Sequence, residues 1–277
     1  MTRTSTKWAL RVAAAVLLAV VLCSVCAHSG VQQAPQKSAR SQKSLARIPF
    51  VGCRADGQVG PVDAPKGKAR GFSVPPEAAA RLAFYKAEQG PGVLGPRGWY
   101  CFEVYGSNGG SLFVTPEPIM GANLFSNHWS GFAGPAIQIS DDFGGTSGRF
   151  EVAAVIARVF PAHRQFAEKI IKEQAELGDT NSYPFGPYPA DKVVYKNDEI
   201  VEYETPGNTD GLGTDSRLRK NGDPISGVAI LVGETPRSVS ETPDLIHLSI
   251  RLPAEMSSLT SAIIEQVERD AARADSD

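Results

Sequence analysis

The chain has 277 residues, 28 of them basic and 30 acidic, for a formal charge of −2. Seven basic residues and no acidic one precede Ile48, so residues 48–277 hold 21 basic against 30 acidic, about −9. A nucleic-acid binder needs clustered positive charge to neutralise phosphates, and this sign excludes one in the body of the chain. The length suffices for a sizeable core, and 27 Gly with 20 Pro predict many turns and short elements.

Residues 1–27 have the three parts of a secretory signal. Arg3, Lys7 and Arg11 form a basic start, Val12 to Val25 is almost wholly apolar, and Val25-Cys26-Ala27 suits cleavage after Ala27. The apolar run is shorter than the roughly 20 residues of a membrane-spanning helix, so an uncleaved anchor is the second choice. Lipidation at Cys23 or Cys26 ranks behind plain export, because Leu22 and Val25, not small residues, precede them. Contact with a membrane is therefore expected only through the leader or such a lipid. Segment 28–47 (HSGVQQAPQKSARSQKSLAR) has too few apolar residues to order itself and reads as a basic, disordered tether.

A single globular domain is expected over 48–273, with a possible meeting of two subdomains near 179–190. It opens with a strand at Ile48 to Cys53, followed by turn formers such as Asp56-Gly57 and Gly60-Pro61. Asp56, Gln58 and Asp63 lack the fixed glycine and late Glu of a calcium loop, so turn chemistry explains them. Ser73 and Pro75-Pro76 start a helix whose apolar spacing carries it over Glu77–Glu88, and Gly90-Pro91-Gly92 stops it. Gly98 to Pro116 reads as a central hairpin around Ser107-Asn108-Gly109-Gly110. Trp99, Cys101, Glu103 and Tyr105 share one face of its first strand.

Residues 119–135 have aromatics but no period, with a short helix around Asn123 to Ser126. Ala136–Ser140 is a short strand. Phe150–Phe160 (FEVAAVIARVF) reads as a buried strand from its β-branched residues, although a helix start fits too. His163 to Gly178 has a helical period and a glycine stop. Lys192–Tyr195 and Glu199–Glu204 form a second hairpin, Pro224–Val232 and Asp244–Leu252 are strands, and Ser257–Arg273 is an amphipathic helix. The class is α+β: an antiparallel or mixed sheet with about three helices packed on one side.

Cys53 and Cys101 are the two cysteines that outlast leader removal. In an exported chain they read as a disulfide, against a free thiol or half of a metal site. His28, His128, His163 and His247 do not pair with each other or with Cys at ligand spacing, so no metal and no cofactor is expected. The glycine-rich segments lack the Lys-Ser/Thr ending of a phosphate loop. Ser130 beside His128, and Ser147, are the serines with suggestive neighbours, and neither matches the Gly-x-Ser-x-Gly elbow. Asp141-Asp142, with Glu151, would be the carboxylates of a glycoside-cleaving pair, but adjacent aspartates point apart. The aromatics Trp99, Tyr100, Phe102, Tyr105, Phe125, Trp129, Phe132, Tyr183, Phe185 and Tyr188 include several placed in loops, where rigid rings serve recognition, although core filling accounts for them as well.

Ile48-Pro49-Phe50-Val51-Gly52-Cys53, Asp56-Gly57-Gln58, Gly60-Pro61, Pro96-Arg97-Gly98-Trp99, Cys101 and Tyr105-Gly106-Ser107-Asn108-Gly109 resemble a group of bacterial exported proteins of unknown function, mainly over residues 48–118. The resemblance implies an exported, bacterial origin and supports pairing Cys53 with Cys101. It brings no activity. The expectation is a periplasmic or secreted, non-enzymatic binding module for an envelope component or a protein partner. The alternative is a hydrolase of envelope material drawing on His128, Ser130, Asp141 and Asp142.

Overall fold

The computed structural model describes residues 44–119, 121–126, 128–178, 183–233 and 242–274. The leader, its cleavage point after Ala27, Cys23, Cys26 and residues 28–43 lie outside them. Strand β1 (Ser44–Ile48) takes in the last residues assigned to the tether and pairs antiparallel with β4 (Arg70–Val74). A three-stranded sheet follows, ordered β2 (Phe50–Gly52), β5 (Leu82–Lys86) and β6 (Val93–Pro96).

The main sheet has eight strands. The expected hairpin, β7 (Tyr100–Gly106) and β8 (Gly109–Thr115), is present but lies toward one side rather than at the centre, with β9 (Ala136–Asp142) beside β8. β3 (Arg54–Gly57) joins β7 in parallel at one edge. Beyond β9 come β13 (Asp244–Arg251), β12 (Ile225–Val232), β11 (Ile200–Thr205) and β10 (Lys192–Tyr195), all antiparallel. The sheet takes strands from both sides of residues 179–190, so a subdomain junction there does not divide it.

Five α-helices are present among the described residues, and the three longest cover both faces of this sheet rather than one. Strand alternation requires this, because both faces of β12 are apolar and Leu245 of β13 adds to the second. Val228, Ile230, Leu248 and Ile250 pack with Ile263, Ile264 and Val267 of α5 (Thr260–Ala274). Ala229, Leu231 and Leu245 pack on α3 (Arg149–Val159) and α4 (Arg164–Glu176). The Gln266 amide of α5 accepts from Leu94 N at 2.7 Å and donates to Gly92 O at 3.2 Å, fastening the helix to the small sheet.

Two segments depart from the sequence expectation. The helix expected over 77–88 ends early as α1 (Pro76–Ala79), and the apolar residues after it form β5. Four consecutive residues, Leu82 to Tyr85, are buried, which a strand between two others achieves and a surface helix does not. The strand expected over 150–160 is α3. Its Val152, Val155, Ile156 and Val159 recur at helical spacing, and packing on α4 outweighs their β-propensity.

Cys53 and Cys101 form a disulfide with Cα atoms 5.3 Å apart. Cys53 stands where the chain leaves β2 for β3, its N–H donating to Lys86 O of the small sheet at 2.9 Å. The bond therefore ties the small sheet to the main one. Closing a 48-residue separation stabilises the fold by about 4 kcal/mol in the chain-entropy account.

Candidate functional site

The four residues singled out for hydrolysis do not converge. His128 and Ser130 are exposed on the loop between β8 and β9. His128 N donates to Ser126 Oγ, and Ser130 Oγ accepts from the Arg219 guanidinium at 3.0 Å. Asp141 and Asp142 end β9 on opposite faces. Among the described residues no hydrogen bond or ion pair links either aspartate to His128 or Ser130.

Each aspartate faces a glutamate instead. A Cβ built on Gly90 would lie 3.0 Å from both Asp141 Oδ1 and Glu103 Oε1, so these two carboxylates face one another across that glycine. Burial pushes Glu103 up to about 7, against the Lys86 charge and with help from Asp141, and burial raises Asp141 as well. Glu103 is 1% exposed, and its Oε2 has no partner among the described residues. The Lys86 ammonium donates to Gln89 O and Gly90 O at 2.8 and 2.6 Å, holding the 87–92 loop over the pair. On the other face burial, with the Glu151 and Asp141 charges, pushes Asp142 up to about 7. Of these acids Glu103 alone is sealed; Asp141 and Asp142 are half-buried and Glu151 is exposed.

The loop 116–135 encloses a concave space of about 480 Å³, lined by Thr115, Pro116, Ile119, Leu124, Trp129 and Phe132 among others. The rings of Phe113, Trp129 and Phe132 form a triangle. Trp129 meets Phe132 edge to face at 5.1 Å, and Phe113 lies 6.1 Å from Trp129 and 5.3 Å from Phe132. Edge-to-face contacts fix ring orientation as well as bury area. Phe113 is a buried residue of β8, so the main sheet itself is the floor of this cluster.

The far side of the loop is held by strand-like and arginine contacts. Phe132 N donates to Arg217 O at 2.7 Å, and Arg219 N donates to Phe132 O at 2.9 Å. Gly131 is required between them: its φ is +98°, and a Cβ would stand 2.4 Å from Arg217 O. Arg251, at the end of β13, is 1% exposed. Its guanidinium donates to the carbonyls of Phe132, Ala133 and Gly134 at 3.3–3.4 Å and to Arg219 O. Burial lowers its pKa, opposed by Asp223. No carboxylate lies in salt-bridge range of it among the described residues; backbone carbonyls take up the charge-assisted donors of Nη1 and Nη2, while Nε is buried with no partner among the described residues.

A polar band leads from Arg251 across the same sheet face. Ser111 Oγ lies 2.8 Å from Ser140 Oγ, to which the Gln138 amide donates at 2.9 Å, and Gln138 Oε1 accepts from Arg217 N at 2.7 Å. His247 stands opposite Ser140 in register. The Tyr203 hydroxyl lies 2.9 Å from His247 Nε2, 2.7 Å from Ser249 Oγ and 2.8 Å from Leu248 O. Burial pushes the His247 imidazole down to about 4, so it is neutral.

Sequence reasoning named Trp129 and Phe132 but missed Arg251, Glu103 and the Tyr203–His247 pair. One signal was present: in DLIHLSIRL, His247, Ser249 and Arg251 share a parity, so one face of a buried strand is polar. No protein-family model, curated protein or solved structure matches the chain.

Proposed function

We propose that the chain is an exported, non-enzymatic binding module that holds an apolar group of an envelope component in the cavity under the 116–135 loop. The observation that carries this reading is the preorganised Phe113–Trp129–Phe132 cluster facing a concave space, with its loop fixed by Arg251. Ligand sites are mostly apolar hollows with few polar groups, and rigidity formed before binding spares ordering entropy. The Cys53–Cys101 disulfide fits an oxidising compartment outside the cytoplasm. The wide separation of His128 and Ser130 from Asp141 and Asp142 supports binding over hydrolysis.

The test is a titration with 1-anilinonaphthalene-8-sulfonate as an apolar probe. The native protein is expected to bind it saturably with one-to-one stoichiometry, and Trp129→Ala to lose that binding while keeping its melting transition. Equal binding by Trp129→Ala, or none by the native protein, would reject the site.

A further inference from the structure

Two arginines stand against the residues that wall the Trp129 cavity. A bridge between Phe132 and Leu218 sets residues 217–219 extended alongside the loop. Leu218 is buried with Ala136, Ile225 and Phe132. Its neighbours in an extended segment point the other way, so Arg217 and Arg219 share the outer side, and both are exposed. They stand over consecutive loop residues. The Arg217 guanidinium lies 5.8 Å from the centre of the Trp129 ring, and Arg219 Nη1 donates to Ser130 Oγ at 3.0 Å. The Arg219 stem also passes Gly131, where a Cβ would meet its Cγ at 3.3 Å. Trp129 and Gly131 both line the cavity.

Their charge is uncompensated. Among the described residues neither guanidinium has a carboxylate in salt-bridge range. The acids nearby in sequence are engaged elsewhere. Asp210 takes the Lys220 ammonium at 2.8 Å, and the Asp215 oxygens lie 2.8 and 3.0 Å from the Tyr188 hydroxyl that donates to them. A body with 21 basic against 30 acidic residues thus leaves two arginines without a carboxylate beside one loop. Ser130 Oγ accepts from Arg219, so its own hydroxyl hydrogen remains to donate to an anion. Guanidinium donors match the paired oxygens of a phosphate or carboxylate, and the apolar hollow beside them suits a ring or chain.

We propose that the ligand of this cavity is an amphiphile with an anionic head, a phosphate or a carboxylate. Its apolar part would lie among Leu124, Trp129 and Phe132, and its head on Arg217, Arg219 and the Ser130 hydroxyl. The proposal rests on reading the cavity as an apolar site. Trp129 belongs to both halves, packed on Phe132 and facing the Arg217 cation. Glu117 is the one charged residue of the cavity lining. It disfavours the same head inside the cavity, so the two ends of the ligand have different places.

Two probes share one ring system: 1-anilinonaphthalene-8-sulfonate carries an anion, and N-phenyl-1-naphthylamine lacks it. The native protein is expected to bind the sulfonate about fivefold or more tightly than its uncharged twin, a preference that added salt reduces. Arg217→Gln combined with Arg219→Gln should bring the two probes to equal affinity. Arg217→Lys combined with Arg219→Lys keeps the charge and should keep most of the preference. Hexyl phosphate should displace the sulfonate at concentrations where inorganic phosphate does not. Equal affinity of the native protein for the two probes, or a preference that survives the double Gln change, would overturn the anionic head and leave the cavity standing. Inorganic phosphate competing as well as hexyl phosphate would mark a site for a free anion and overturn the amphiphile. Binding of neither probe would reject the cavity itself, and this proposal with it.

Discussion

The two faces of the eight-stranded sheet are built to different rules. Under α5 the face is dry over its central strands, with Leu112, Ile139, Val228 and Leu248 meeting Ile263 and Val267, and its buried acids gather at one end. The face toward α3 and α4 begins equally apolar but turns polar along β9 and β13, through His247, Ser249, Gln138 and Arg251. A fold needing only stability would fill that second face with aliphatic groups, since each buried polar group must find partners to avoid a desolvation cost. Here the partners are the backbone of the 116–135 loop and the segment around Arg217. One face holds the molecule together, and the other holds a loop in one shape.

Substitutions on each face sharpen that contrast, beginning with the largest effect. Ile263→Ala removes a fully buried side chain from α5 and should cost about 4 kcal/mol in urea unfolding, while leaving probe binding at the Trp129 cavity unchanged. Arg251→Met leaves the carbonyls of Phe132, Ala133, Gly134 and Arg219 without their donor. It should cost about 3 kcal/mol and, unlike Ile263→Ala, abolish probe binding. If both variants lost only stability, the division between faces would not stand.

Acid–base behaviour gives the next effect. Glu103 and Asp142 have folded values near 7, above their ordinary 4.5 and 3.8, so the fold binds their protons more tightly than the unfolded chain. Their contribution is present at low pH and is lost as pH rises through about 7. His247 has the opposite sense. Its folded value near 4 lies below 6.5, so its contribution is present above pH 6.5 and is lost as pH falls through 4. The melting temperature should therefore fall as pH rises toward about 7, most steeply above 6.5 where His247 no longer opposes, and level off above 7, and Glu103→Gln should flatten that fall. Below pH 6.5 the His247 loss opposes any further gain, and His247→Gln should remove the opposition. The smallest effect is Tyr203→Phe, which removes one hydroxyl from the His247–Ser249 network and should cost about 1 kcal/mol by thermal melting.

Much of the fold was legible because local signals agreed with the tertiary outcome. The β7–β8 hairpin followed from alternation around Asn108-Gly109, and α4 from its period and from Gly178, whose φ of +85° suits the helix stop. The segments read wrongly were those where burial on every side hides the period. In Leu82–Tyr85 both strand faces are covered, and in Val152–Val159 aliphatic residues of strand type pack as a helix. Placing helices on one side failed for the same reason, since β12 is apolar on both faces. The aromatic loop could be suspected from Trp129 and Phe132. The reach of Arg251 to carbonyls more than 100 positions earlier could not, because no local pattern encodes a contact at that distance.

The most direct test of the central claim is a backbone and indole NMR titration with 1-anilinonaphthalene-8-sulfonate. The account predicts saturable shifts confined to the Trp129 indole N–H and the amides of Phe132, Ala133 and Gly134, with α5 and its sheet face unmoved. Shifts centred anywhere else, or none that saturate, would contradict it.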